Sequence, residues 1–190
     1  YNSTIRRILI RNKIKLRGNT GIQSFVNPEV FFDNSEQANY WIGFLAADGY
    51  IGDKEYAVEI STSEKDKEHL RKFAEFTNSK LHCYMHKRYK VPQYRVKFRN
   101  KSVNLYLKSI GVTERKSRNI KLLIPFNFNI LRGIIDGDGC IIILSPTRVS
   151  VQIASASKEF LEQIREFLSE NDINIASITK VNDIFSLNIF

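Results

Sequence analysis

Two stretches of the chain read alike: Trp41-Ile-Gly-Phe-Leu-Ala-Ala-Asp-Gly49 and Leu131-Arg-Gly-Ile-Ile-Asp-Gly-Asp-Gly139. They stand 90 residues apart, and the segments downstream of them are alike as well. After the first come a strand-like run, the polar cluster Ile60-Ser-Thr-Ser-Glu-Lys-Asp66, and then Leu70, Phe73, Ala74 and Thr77 at helical spacing. After the second come Ile153-Ala-Ser-Ala-Ser-Lys-Glu159 and the helical face Phe160, Leu161, Ile164, Phe167 and Leu168. Similarity at one long offset marks a supersecondary block used twice. Ser63 and Asp66 have capping-box spacing and are expected to open the first unit's helix around Leu70.

Between the helices the period changes to two. Tyr94, Val96 and Phe98 alternate with Gln93, Arg95, Lys97 and Arg99, so one strand face is apolar and the other polar and mostly basic. Upstream, Leu81, Cys83 and Met85 alternate with His82, Tyr84, His86 and Arg88, and a turn near Val91-Pro92 is expected to pair the two strands. In the second unit Val149, Val151 and Ile153 alternate with Arg148, Ser150, Gln152 and Ala154, and Phe185, Leu187 and Ile189 with Ser186 and Asn188. The fold class predicted is α+β: two pseudo-symmetric αββαββ(α) units packed through the repeated helices, each with an antiparallel sheet whose helix-free face is polar. The expected divisions are a basic arm at 1–21, a first unit at 22–128 with a further helix at 101–110, and a second unit at 129–190 lacking its last helix.

The chain has 190 residues, 43% of them hydrophobic, and 29 Lys plus Arg against 20 Asp plus Glu, a net charge of +9. That composition builds a core and favours an anionic partner. The excess is not uniform: residues 41–140 hold nineteen basic and eleven acidic side chains, residues 141–190 four and six. The longest apolar run, Cys140 to Leu144, is far below the ~20 residues of a membrane-spanning helix. Cys83 and Cys140 form no CxxC pair, which excludes a disulfide framework or a zinc finger. A soluble, intracellular monomer is expected, with no membrane partner. Strand-borne cations in the most basic segment favour double-stranded DNA. The candidate contacts are His82, Tyr84, His86, Arg88, Gln93, Arg95, Lys97 and Arg99 in the first unit and Arg148, Ser150 and Gln152 in the second.

The repeated motif holds the chemistry. Gly43 and Ala47, and likewise Gly133 and Gly137, are four residues apart and share one helix face, where small side chains let two backbones approach. Each helix ends in Asp-Gly, Asp48-Gly49 and Asp138-Gly139, with the glycine expected in the left-handed conformation that closes a helix. Packing the two helices face to face sets two carboxylates together at negative helix ends, a repulsive arrangement that a hard divalent cation resolves. The candidate metal ligands are Asp48 and Asp138, with backbone oxygens of Ala47 and Gly137. Such a centre beneath a basic sheet suits phosphodiester hydrolysis.

Gly133-Ile-Ile-Asp-Gly-Asp-Gly139 resembles the signature of LAGLIDADG homing endonucleases of the single-chain, two-repeat type. Trp41 to Gly49 is similar, with Ala46 where an Asp is usual, and the resemblance covers roughly residues 35–190. It implies that the motif helices form the inter-unit interface, that the sheets form a saddle over DNA, and that Asp48 and Asp138 bind the catalytic metal. Mg²⁺ or Mn²⁺ would support cleavage, and Ca²⁺ binding alone. It further implies that water cuts both strands of a long asymmetric site across the minor groove, leaving short 3′ overhangs, as in enzymes of mobile introns. Gly111-Val-Thr-Glu-Arg-Lys-Ser117 resembles the region that supplies a basic residue to the scissile phosphates, which makes Lys116 an accessory catalytic candidate. Ser3 to Arg17 resembles part of a helix-turn-helix, with Arg6 and Arg7 as further DNA contacts. Asp136 has no acidic counterpart in the first motif and is read as a helix-end residue rather than a ligand. The same scaffold also serves an RNA maturase or transcription regulator that binds without cutting; retention of Asp48 and Asp138 argues for cleavage.

Overall fold

A computed structural model describes residues 27–190 apart from 54, 87, 89 and 115–117. The expectations for Arg6, Arg7 and Lys116 lie outside the described residues. The first unit runs from a 3-10 turn at Pro28–Phe31 through α1 (Glu36–Asp48), β1 (Tyr50–Ile51), β2 (Ala57–Ser63), α2 (Lys67–Phe76), β3 (Leu81–Met85), β4 (Pro92–Arg99) and α3 (Lys101–Ser109). The second repeats the order with α4 (Phe128–Asp138), β5 (Gly139–Ser145), β6 (Arg148–Ser155), α5 (Lys158–Glu170), β7 (Thr179–Val181) and β8 (Ile184–Ile189). Both sheets are antiparallel and share one topology, β1-β2-β4-β3 and β5-β6-β8-β7. The fold is α+β, as predicted.

Side-chain caps set where four of the helices begin. Ser35 accepts from Ala38 N at 3.1 Å, Asn100 from Val103 N at 3.0 Å, Asn127 from Ile130 N at 3.0 Å and Ser157 from Phe160 N at 3.3 Å. Each satisfies a backbone donor that the first helical turn leaves without an intrahelical partner. The capping box expected at Ser63 does not form. A 3-10 turn over Glu64–Asp66 intervenes before α2, and Ser63 Oγ instead donates to Asp66 Oδ2 at 3.3 Å, with no side-chain bond to the backbone. The tighter turn moves the helix start past the reach of the serine.

Register assigns the sheet faces. In the first unit Val58, Ile60, Val96 and Phe98 point to the helices and are buried. Glu59, Ser61, Gln93, Arg95, Lys97, His82 and Tyr84 share the opposite face, because directly paired residues lie on one side of a sheet. The hairpin between β3 and β4 closes through His86 N to Val91 O at 2.9 Å, so its turn begins before the expected Val91-Pro92. Cys83 and Met85, on the apolar face by parity, are exposed at the outer end of edge strand β3.

The two units differ at one margin of the core. In the first, α3 is tied across the β1–β2 hairpin by buried Asn104, whose Nδ2 donates to Gly52 O at 3.0 Å and Ala57 O at 3.1 Å. Val103 and Leu107 of α3 are fully buried, each contributing roughly 1.5–3 kcal/mol of apolar transfer. Ile51 beneath this layer is 1% exposed, whereas the equivalent Ile141 is 69% exposed, with no described element in the corresponding place.

Candidate functional site

Helices α1 and α4 pack against each other more extensively than any other pair of elements, and the small residues explain why. A Cβ built on Gly43 would lie 2.1 Å from Ile130 O, and one on Gly133 would lie 2.0 Å from Tyr40 O. At Gly137 a Cβ would be 2.5 Å from Ala47 Cβ and 3.7 Å from Asp48 N. Backbone meets backbone at Gly43 and Gly133, Gly137 meets the Ala47 methyl, and no larger side chain fits. The four positions expected at the helix interface, Gly43, Ala47, Gly133 and Gly137, are brought together there.

Asp48 and Asp138 are the last residues of α1 and α4, both exposed. They line one cleft of about 370 Å³ together with Ala46, Ala47, Ala154 and Phe160. The glycines after them do not adopt the left-handed conformation that was expected: Gly49 has φ −75° and Gly139 φ −82°. Their requirement is space. A Cβ on Gly49 would stand 2.6 Å from Leu45 O and one on Gly139 2.4 Å from Ile135 O, so the chain turns directly from helix into strand against the last helical carbonyls.

Among the described residues no group of three or more His, Cys, Asp or Glu side chains could hold a metal ion. Two solvent-facing carboxylates with adjacent backbone oxygens remain, a hard, oxygen-only donor set. Mg²⁺ is held in this way, through one or two carboxylates, its other positions taken by water and substrate phosphate. Oxygen donors of this kind suit a divalent metal.

The polar face of the first sheet is more tightly organised than its sequence indicates. Glu59, on β2, pairs with Lys97 Nζ at 3.0 Å and Arg95 Nη1 at 3.6 Å. The Arg95 guanidinium lies 5.0 Å over the Tyr84 ring, and Arg99 pairs with Glu55. His82, Tyr84 and Gln93 are half-buried on the same face, His86 is half-buried at the hairpin, and Arg88 is exposed. The candidate contacts thus share one surface, but Glu59 already partners two of its cations. In the second unit Arg148 is exposed and Gln152 Nε2 donates to Asn188 Oδ1 at 3.2 Å. Ser150 is 3% exposed, so the direct DNA contact expected of it is not available: a short side chain on an inner strand sits below its longer neighbours.

The sequence reading missed a hydrogen-bonded group that crosses the unit interface. The Tyr40 hydroxyl donates to Asp136 Oδ2 at 2.8 Å and lies 2.9 Å from His69 Nε2. Asp136 is therefore a partner of the first unit rather than a plain helix end. Burial pushes the Tyr40 phenol up, helped by Asp136, and keeps it protonated. Desolvation holds His69 below the usual imidazole range; its ring packs 4.9 Å from that of Phe44 and 5.1 Å from that of Trp41. A position-by-position comparison of the two repeats would have exposed the group, since Tyr40, Asp136 and His69 correspond to Ile130, Ala46 and Phe160.

Residues 125–184 match the model of a LAGLIDADG-like domain. A search of curated proteins by sequence finds no match. Among solved structures, full-length DUF199/WhiA from Thermatoga maritima is similar at 17% identity and TM-score 0.55, covering 88% of this chain and 57% of that one. The N-terminal LAGLIDADG domain of DUF199/WhiA is similar at 16% identity and TM-score 0.53, with 92% and 87% covered. The I-DmoI complex with DNA and Ca is similar at 16% identity and TM-score 0.51, with 82% and 83% covered. At these identities the likeness is one of fold. No helix among the described residues is long and apolar enough to cross a membrane.

Proposed function

We propose, from the match of residues 125–184 to a LAGLIDADG-like domain model and the two-unit fold of the described chain, that the protein is a site-specific double-strand DNA endonuclease dependent on divalent metal. One observation supports this above the others. The two motif aspartates end two closely packed helices and line a single cleft where the units meet. Two carboxylates at equivalent places of the repeat, with backbone oxygens beside them, are the donors a hard divalent ion takes. The I-DmoI complex with DNA and Ca supports the substrate class and the kind of ion.

Bound there, a divalent ion would lower the pKa of water and offset charge on the phosphate. Asp48 and Asp138 would hold it from opposite units. Gly133, by admitting the facing backbone, and Gly137, by admitting the Ala47 methyl, let the two helices carrying them pack closely. The carboxylates do not attack: a water oxygen forms the new bond to phosphorus as the bond to the leaving oxygen breaks, and the water proton passes to solvent. Lys97, Arg95, Arg99 and Arg148 supply cationic groups for the DNA backbone on the two sheets, and Gln93, Gln152 and Tyr84 supply uncharged contacts. The inequality of charge between the units, with the excess in the first, favours an asymmetric target held more tightly by the first unit. Mg²⁺ or Mn²⁺ would support cutting and Ca²⁺ binding.

The test starts from a randomised duplex library selected for binding in Ca²⁺ and transferred to Mg²⁺ or Mn²⁺. Expected are double-strand breaks at one position, abolished by Asp48→Asn and by Asp138→Asn with binding in Ca²⁺ retained. Cutting by both single variants refutes the site. Duplexes bound but never cut by the wild type would instead support a silent binder, the reading that Ala46 in the first motif and the likeness to WhiA favour.

A further inference from the structure

A cleft lies on each side of the α1–α4 pair; the two are nearly equal in size and Asp48 lines both, but the side chains around it differ. One, of about 380 Å³, is lined by Asp48, Thr62, His69 and Asp136; the other, of about 370 Å³, by Asp48, Asp138, Ser155, Phe160 and Ala46. Thr62, His69 and Asp136 of the first correspond in the repeat to Ser155, Phe160 and Ala46 of the second. Volume does not distinguish the clefts. Hydrogen-bonding capacity does, because His69 and Asp136 on one side are Phe160 and Ala46 on the other.

The His69 side has a defined proton arrangement. A carboxylate only accepts, so the Tyr40 proton is directed to Asp136, and His69 Nε2, 2.9 Å from the same hydroxyl, must be the donor to it. That tautomer leaves His69 Nδ1 as an acceptor when the ring is neutral, alongside the second oxygen of Asp136. Ordered water needs two to four polar partners; His69 and Asp136 add two to the first cleft, where Phe160 and Ala46 add none to the second.

We propose that Tyr40, His69 and Asp136 are positioning residues that order the water of one half-site, so that the strand hydrolysed on the His69 side is cut faster than the strand hydrolysed on the Phe160 side. This rests on the endonuclease reading. The three residues act through water. Removing one hydrogen bond of this kind should slow the favoured strand by about tenfold, the rate equivalent of about 1.4 kcal/mol.

The experiment uses a Ca²⁺-selected duplex labelled differently on each strand, with nicking of each followed after addition of Mg²⁺ or Mn²⁺. The wild type should cut the strands at unequal rates. Tyr40→Phe and His69→Phe should slow the faster strand alone and bring the ratio towards one, while His69→Gln, whose amide can still donate to the Tyr40 oxygen, should retain the ratio. Equal wild-type rates, or variants that slow both strands in parallel, overturn the inference and leave the endonuclease reading standing. Duplex that stays bound and uncut on both strands overturns both.

Discussion

Replacing Gly133 with alanine sets two physical effects against each other. In an exposed helix interior the change would stabilise by about 1 kcal/mol, through lower backbone entropy in the unfolded chain and higher helix propensity. Here the new Cβ would stand 2.0 Å from Tyr40 O and 2.7 Å from Phe44 N, both backbone atoms of the facing helix. To reach ordinary contact at 3.4 Å, α1 and α4 must separate by roughly 1.4 Å, because neither atom can swing aside. Overpacking of this kind costs about 1–3 kcal/mol, and a rigid backbone partner places it at the upper end. The net expectation is a loss of about 2 kcal/mol, or a fall in Tm of about 4–8 °C for a chain of this size. Thermal melting and urea denaturation measure it. Gly52→Ala serves as a control, since its nearest neighbour is the Tyr50 ring at 3.1 Å, which can move; it should stay within about 0.5 kcal/mol of wild type. A Gly133→Ala protein as stable as wild type would refute the close approach of the two motif helices and, with it, the juxtaposition of Asp48 and Asp138.

The sheet and the inter-unit hydrogen bonds give two further expected outcomes. Arg95→Ala and Lys97→Ala should each reduce the slope of log Kd against log salt by about 0.9 if each meets one phosphate, whereas Glu59→Gln, which releases both cations from their ion pairs, should tighten binding at low salt; fluorescence anisotropy over a salt series tests all three. His69 is held below the usual imidazole range, so as pH falls through about 6.5 the unfolded state takes up its proton first and stability declines towards the lower folded value. The wild type should therefore lose more Tm between about pH 7.5 and about pH 5.5 than His69→Gln does, and equal losses would show that this imidazole is not kept neutral by the fold.

The strand faces were legible in the sequence because side-chain direction alternates with period two: Arg95, Lys97 and Gln93 share one side of β4 as their spacing requires. What the spacing does not encode is which neighbour a strand pairs with. Glu59 lies 36 residues before Arg95 in sequence and meets it only through the β2–β4 register, so the internal ion pairs of the basic face were not foreseen. Ser150 failed as a contact for a related reason, since parity gives a face but not the height of the surrounding side chains. At Gly49 and Gly139 the local rule for helix ends gave the right residue for the wrong cause: steric exclusion by the last helical carbonyls, not a positive φ, demands glycine.

By itself the sequence determined the repeated unit, its helix and strand order, the small-residue face of each motif helix and the pairing of Asp48 with Asp138 as equivalent positions. All of these are local periodicities or self-comparisons, readable without coordinates. The tertiary structure alone decided that the two aspartates line one cleft and that the clefts on either side of the helix pair differ. The Tyr40–Asp136 hydrogen bond joins residues 96 positions apart, and only the approach of α1 to α4 brings a hydroxyl from one unit to a carboxylate of the other. The physical reason is general: the covalent chain fixes which groups recur, but hydrogen bonds and ion pairs between distant segments exist only at the separations that packing sets.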